Sequence, residues 1–299
     1  MGGVFKQGKP QKSQAEGAAY LCEQIRTKKL FAAGKLGTSE QETLLFFLVE
    51  RVGDRSPYPP IIRKNITLNA GLFPATDASI DAWCVHMMEE VLPAMDAMVE
   101  WSTRPVEEGL VLQRFARQSE RLVLRSLEPY YEPTKEQRYT YTPDVRFAIV
   151  SPFAKSISEQ KERLAAVWTA EPLFHPSSAI MPVQTGYGPM LSDTGGWPAE
   201  ITTWQQAVTY TVEQVVATGA TVALIGCGAL SLPIAAALKK RGVAAIHTGG
   251  ATQILFGIKG RRWLTHSVIG PMMNSAWISP SVEEIPTRSD RVEGGCYWT

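Results

Sequence analysis

The chain has few cysteines, and their positions argue against a metal site. They are far apart, form no CxxC pair and have no histidine at metal-ligand spacing: Cys22, Cys84, Cys227 and Cys296. Zinc sites need closely spaced Cys and His ligands, so this distribution indicates free thiols in a reducing compartment.

The chain also lacks an excess of either charge and any long apolar run. Thirty Lys and Arg residues balance twenty-nine Asp and Glu residues, so neither nucleic acid nor an anionic membrane is an expected partner. No apolar stretch approaches the ~20 residues that cross a bilayer, and the first residues show no signal-peptide pattern. We therefore expect a cytoplasmic globular protein, whose eight tryptophans could fill a core or cover a homodimer interface.

From about residue 145 the sequence alternates strands with helices. Short apolar runs predict strands at 146–151, 179–184, 221–225 and 244–247. Each predicted strand leads through a turn into a helical pattern, and repeated units of this size indicate a parallel sheet with helices on both faces. The predicted fold class is therefore α/β, with a Rossmann-like parallel sheet.

The first half of the chain is predicted to be more helical. One strand is expected at 31–34, one long helix at 80–98 with a kink at Pro93, and another from Pro105 to about Leu127. The prediction is a flexible tail at 1–19, a helical N-terminal portion at 20–135 and a Rossmann-like nucleotide-binding portion at 136–299. The two larger portions could also share one sheet.

Three glycine-bearing turns follow predicted strands, at 34–40, 226–228 and 249–250. Ligands of open α/β sheets bind beyond the carboxyl ends of the strands, where bare glycine backbone and free helix-start amides attract anionic oxygen. A diphosphate is the natural ligand of such turns, although glycine also serves plain tight turns. The candidate ligand-binding glycines in the last two turns are Gly226, Gly228, Gly249 and Gly250.

Cations follow the last of these turns closely. Lys259, Arg261 and Arg262 lie within four positions and could neutralise a diphosphate, or they could be ordinary exposed residues. Near the first turn, Thr38 and Ser39 each begin a capping-box pattern, which predicts a helix start.

A dinucleotide cofactor is disfavoured by two departures from its fingerprint. The turn reads Gly226-Cys-Gly228-Ala-Leu-Ser231, so serine replaces the third glycine of GxGxxG. The next predicted strand ends in His247 rather than in the acid that would bind a ribose hydroxyl. His247 itself is either a structural histidine or a functional one.

Several segments resemble a family of uncharacterised proteins related to glycosyltransferases of the GT-D fold. They are VSPFAKSISEQ, the block IGCGALSLPIAAALKKRGVAAIHTGGATQILFGIKGRRW and VEGGCYW, and GKLGTSE is similar to the RxGDGE motif of that group. The likeness runs from about residue 20 to the end of the chain. It implies a Rossmann-like domain that binds a nucleotide-sugar, with Mn²⁺ or Mg²⁺ held in part by an Asp-x-Glu pair.

Carried onto this sequence, the arginine of the motif falls on Lys35, its glycine on Gly37, its aspartate on Thr38 and its glutamate on Glu40. The resemblance implies that these residues and Gln253, in the GGxxQxxFGIKGRRW segment, bind the donor, and that Glu40 is also catalytic and metal-binding. Glu40 could instead be a first-turn acid that counters the helix dipole.

Thr38 is the main departure from the family motif. A hydroxyl carries no charge for a hard cation that prefers carboxylate oxygen, so metal binding would be weak or would need another acid. The candidates for that acid are Asp77, Asp193 and Glu293.

Three functions are weighed. The first is a glycosyltransferase that moves a sugar from a nucleotide-diphosphate donor to a hydroxyl acceptor. The second is a nucleotide or sugar-binding module without turnover, because the motif aspartate is lost at Thr38. The third is a nicotinamide- or flavin-dependent oxidoreductase.

Overall fold

Seven strands form one sheet in which all neighbouring pairs are parallel. The computed structural model describes residues 9–102, 104–192 and 195–299. The strand order is β3-β2-β1-β7-β6-β4-β5. The strands are β1 Ala32–Lys35, β2 Ala97–Val99, β3 Glu120–Leu122, β4 Arg146–Ser151, β5 Ala179–Gln184, β6 Val222–Ile225 and β7 Ala244–His247.

Helices connect the strands, and three π-helical segments, at Phe47–Arg51, Asn65–Asn69 and Met87–Val91, continue some of them. In chain order the α-helices are α1 Gln14–Arg26, α2 Thr38–Phe46, α3 Val52–Asp54, α4 Pro60–Lys64, α5 Asp77–His86, α6 Leu92–Ala94, α7 Pro105–Phe115, α8 Ala154–Gln160, α9 Leu164–Val167, α10 Trp204–Ala217, α11 Ser231–Lys240, α12 Ala251–Leu255, α13 Arg261–Leu264 and α14 Ile269–Met272. The predicted α/β class with a Rossmann-like parallel sheet is confirmed.

Both faces of the sheet are covered, which is what makes its central strands apolar throughout. Successive strand residues point to opposite faces, so Leu224 and Ile225 join different cores. Ile225 packs in the core that includes side chains of α5, α10 and α11. Leu224 packs in the core that includes side chains of α1, α8 and α12.

The sheet takes strands from both predicted portions of the chain. β1 to β3 come from residues 20–135 and β4 to β7 from residues 136–299. They meet where β1 pairs with β7, with Ala33 opposite Ile246. The first six residues of α1 lie within the segment 1–19 that was predicted as a tail.

Both long helices predicted in the first half are present but end earlier than predicted. The first helical stretch ends at α6, and Met98 lies in strand β2. The second ends at Phe115, because the buried Arg121 guanidinium donates to the carbonyls of Leu112 and Ala116 at that helix end. Arg121 itself belongs to β3, an edge strand that the helical pattern had concealed.

Candidate functional site

The three glycine-bearing turns lie around one cavity at the carboxyl edge of the sheet. Its volume is ≈ 370 Å³, within the range of about 300–1,000 Å³ common for small-molecule sites. The predicted site residues that line it are Lys35, Gly37, Thr38, Glu40, Gly226, Gly228, Gly249, Gly250 and Gln253. Lys259 and Arg261 are not among the lining residues, whereas Arg262 is.

The turn after β1 leaves a helix start without a side-chain cap. α2 begins at Thr38, with Gly37 as its N-cap, so the predicted Thr38 and Ser39 capping boxes are wrong. The reason is that both hydroxyls already lie inside the first turn. Among the described residues, the amides of Thr38 and Ser39 have no protein acceptor. Uncapped first-turn amides favour a bound anion.

Glu40 is buried in this first turn. Its carboxylate folds back over Gly37, where even a Cβ would overlap it. Burial raises the pKa of Glu40 above its ordinary value, and both its own backbone amide and the charge of Lys35 oppose that shift. A carboxyl with a raised pKa in a cavity is suited to accept or release a proton.

Lys35 places an ammonium beside two of the three turns. Its Nζ lies 4.4 Å from the centre of the Trp101 ring, a cation–π contact. A Cβ built on Gly249 would lie 3.4 Å from the same Nζ, so the β7 turn packs directly against the lysine. Burial lowers the pKa of Lys35, while Glu40 and Glu128 oppose the shift through their negative charge.

His247 ends β7 and is neutral. Its Nδ1 lies 3.0 Å from the Lys35 carbonyl, which can only accept, so Nδ1 carries the proton and Nε2 a lone pair. Burial, together with the Lys35 charge, lowers the pKa of His247 to about 3. His247 therefore offers the cavity an acceptor and joins β7 to β1.

The turn after β6 is held by its own side chains. The Cys227 amide donates to Ser231 Oγ at 3.0 Å, so the serine that replaces the third glycine fixes the turn. Gly228 has a φ of +61° and packs against the Ala70 carbonyl, which leaves no room for a Cβ. Burial raises the pKa of the Cys227 thiol to about 12, so it is not a thiolate nucleophile at neutral pH.

Fewer backbone amides are open than the glycine pattern predicts. Gly226 and Gly249 donate to strand carbonyls, at 2.8 Å and 3.1 Å respectively. Within the described residues, only the amides of Gly228 and Gly250 in these two turns lack a protein acceptor. The first turn of α2 therefore offers as many open amides as the two glycine turns together.

Two of the cations that follow the β7 turn, Arg261 and Arg262, already contact groups of the protein. Arg261 donates to the Gly294 carbonyl at 2.8 Å. Arg262 lies over the rings of Trp263 and Tyr297 and 3.7 Å from the Glu293 carboxylate. Gln253 Nε2 donates to the carbonyls of Lys259 and Tyr297, which fixes the segment to the C-terminal residues.

Aromatic side chains form much of the remaining wall. They come from six separate places in the chain: Trp101, Phe153, Tyr187, Trp197, Trp263, and the adjacent Tyr297 and Trp298. Trp197 Nε1 is buried without a protein partner among the described residues. Flat apolar faces of this kind bind sugar rings or nucleobases.

Sequence reasoning missed two polar features of the wall, Trp101 and Glu128. Trp101 follows β2, and Glu128 follows β3, so both were hidden because the two predicted helices extended over these strands. Glu128 is buried and accepts from Arg125 Nη1 at 2.5 Å. The signal that could have found Trp101 is the apolar run before it, which ends at Val99.

The acids proposed to replace the motif aspartate are dispersed. Asp77 pairs with Arg63 and Arg51 away from the cavity, Glu293 lines the cavity beside Arg262, and Asp193 lies outside the described residues. Within the described parts of the chain, no three His, Cys, Asp or Glu side chains are grouped as a metal site requires. Glu40 alone therefore does not make a site that fits Mn²⁺ or Mg²⁺.

Comparison of the chain with protein-family models, curated protein sequences and solved structures gave no match. Among the helices in the described ranges, none combines the length and apolar character needed to cross a membrane.

Proposed function

We propose that this protein binds a nucleotide-diphosphate sugar and transfers the sugar to a hydroxyl acceptor. The observation that carries the proposal is the convergence of the turns after β1, β6 and β7 on one cavity that also contains the Lys35 ammonium. Open amides and a cation suit a diphosphate, and the aromatic wall suits the sugar and the base. The likeness to GT-D glycosyltransferases supports the same ligand.

The reaction assigns one role to each group. The acceptor oxygen attacks the anomeric carbon, and the bond from that carbon to the diphosphate breaks, with its electron pair passing to the leaving oxygen. Lys35 and the amides of Thr38, Ser39 and Gly228 stabilise the charge that develops there. Glu40 accepts the proton of the acceptor hydroxyl, for which its raised pKa and burial suit it.

A second candidate is a binding module that holds the same ligand without turnover. The position of the Glu40 carboxylate favours it, because the group folds back on Gly37 and satisfies its own backbone. On this reading Glu40 only stabilises the helix start.

A thermal-shift panel of nucleoside diphosphates and nucleotide-sugars tests both candidates. A ligand that binds only the native state raises the melting temperature. Hydrolysis of the bound donor, measured with and without manganese, separates the transferase from the binding module. No shift with any nucleotide diphosphate would contradict the proposed function.

A further inference from the structure

The Lys35 ammonium is a charged group that lines the cavity without a protein hydrogen-bond acceptor in the described chain. It has three N–H donors, and among the described residues it has no acceptor and no carboxylate within 4.0 Å. It lies against the Trp101 face and the Gly249 turn, and the nearest negative charges that act on it are those of Glu40 and Glu128. A half-buried ammonium without a protein acceptor gains a charge-assisted hydrogen bond when an anion binds beside it.

The carboxylates that line the cavity are engaged elsewhere. Glu40 is folded over Gly37, Glu128 is bound by Arg125, and Glu293 lies beside Arg262. Mg²⁺ and related hard cations need about six oxygen ligands, including one or two free carboxylates. A divalent ion placed against the diphosphate would also compete with Lys35 for the same oxygens and be repelled by it.

We propose that Lys35 takes the place of the divalent cation, so that this protein binds nucleotide diphosphates without a metal. The inference rests on the proposed function and specifies how its site neutralises charge. The neutral Thr38 in the motif then has a physical reason. With the ammonium as counter-charge, a carboxylate at position 38 would repel the diphosphate rather than help to hold it.

Calorimetric titration with UDP, GDP and ADP, each in excess EDTA and in excess Mn²⁺, tests this. For the nucleotide that binds, we expect the same affinity under both conditions. Lys35→Met keeps the packing on Trp101 and should weaken binding by roughly 10- to 100-fold, the value of a charge-assisted contact. Lys35→Arg should restore most of the loss. Lys29→Met is the matched control, because Lys29 is exposed and lies just before β1, at the opposite end of that strand.

The outcomes are distinguishable. Binding that appears only with Mn²⁺, or that survives Lys35→Met in a folded protein, overturns the inference and leaves the proposed function standing. Failure of all three nucleotides under both conditions overturns both. Circular dichroism of each variant shows whether a loss reflects unfolding.

Discussion

The two sides of the cavity differ in how their charges are satisfied. On the side built by 35–40, the Lys35 ammonium and the Thr38 and Ser39 amides have no hydrogen-bond acceptor among the described residues, although Lys35 lies over the Trp101 ring. On the side built by 259–263, Arg261 donates to a carbonyl, and Arg262 lies over two aromatic rings and near a carboxylate.

The difference distinguishes charges that stabilise the fold through protein partners from charges that are available to a ligand. A charge that is partly removed from water and has no counter-charge lowers the stability of the fold. Such charges are therefore typical of functional sites, where a ligand supplies the missing partner. A charge that is already paired has little left to offer a ligand. Under the proposed function, the 35–40 side is therefore expected to bind the ligand, and the 259–263 side is expected to serve mainly as a structural wall.

Glu40→Gln should have the largest effect on turnover. The amide cannot take a proton, so sugar transfer should fall by roughly 10²- to 10⁴-fold, while nucleotide affinity changes little. Because burial raises the pKa of Glu40, the wild-type rate should fall as pH drops through a value above its ordinary range. Steady-state rates and calorimetry on the same variant separate the two effects. Unchanged turnover would assign Glu40 to the helix start alone.

Alanine at two glycines sharpens the comparison. Gly228→Ala places a Cβ on the Ala70 carbonyl at a φ of +61°, so it should cost about 3 kcal/mol of stability or more. Gly37→Ala keeps an allowed backbone, with φ −71°, and displaces only the flexible end of Glu40, so it should lower activity and leave the melting temperature nearly unchanged.

Urea unfolding and transfer rates of both variants measure this contrast. Gly242→Ala is the control for positive φ alone. Gly242 has φ +84° with nothing within 4 Å of the added Cβ, and its replacement should cost only about 1 kcal/mol. Equal losses at 228 and 242 would show that the packing on Ala70 is loose.

Three strands in the second half of the chain, β4, β6 and β7, were predictable because burial on both faces makes them continuous apolar runs, and the edge strand β5 was predictable from its apolar residues although it is only partly buried. β4, β5 and β7 begin and end where the sequence predicts. β2 and β3 have three residues each, too few to show a period of two, and adjoin helical patterns. Their formation depends on tertiary contacts such as the Asp96 carboxylate accepting from the Ala32 amide at 2.9 Å.

The sequence predicted where the candidate site lies in the fold, but it did not predict the hydrogen bonds within it. Strand ends predict which turns meet, and Lys35, Gly228 and Gly249 do line one cavity. The sequence does not reveal that Ser231 Oγ accepts a hydrogen bond from the Cys227 amide or that Arg261 donates to the Gly294 carbonyl. Gly294 is far from Arg261 in the sequence, and the Ser231 contact depends on the direction of its side chain, which spacing alone does not determine.

Acid should destabilise the protein through His247, whose Nδ1 bonds the Lys35 carbonyl and so links β7 to β1. Its folded pKa is about 3 against an ordinary 6.5, so the unfolded chain binds one more proton between those values. Stability from this residue is full above pH 6.5 and is lost as pH falls towards 3, at up to about 1.4 kcal/mol per pH unit.

His247→Asn keeps an N–H for the Lys35 carbonyl and removes the titration. Its free energy of unfolding, from urea curves across this pH range, should depend on pH less steeply by up to that amount. The slope is the readout, because the substitution also changes packing. An identical slope in the variant would mean that His247 is already protonated in the folded protein or shielded in the unfolded one.

The smallest expected effects on nucleotide affinity are those of replacing the neighbouring residues Arg261 and Arg262 on the 259–263 side. Arg262→Ala should weaken nucleotide-diphosphate affinity by roughly threefold to tenfold, because its charge is partly shared with Glu293. Arg261→Ala should change affinity by less than about threefold, since its side chain bonds Gly294 outside the cavity lining. Calorimetry on both, beside Lys35→Met, ranks the two sides directly. If Arg262→Ala weakened binding as much as Lys35→Met, paired and unpaired charges would serve the ligand equally, and the distinction between the two sides would fail.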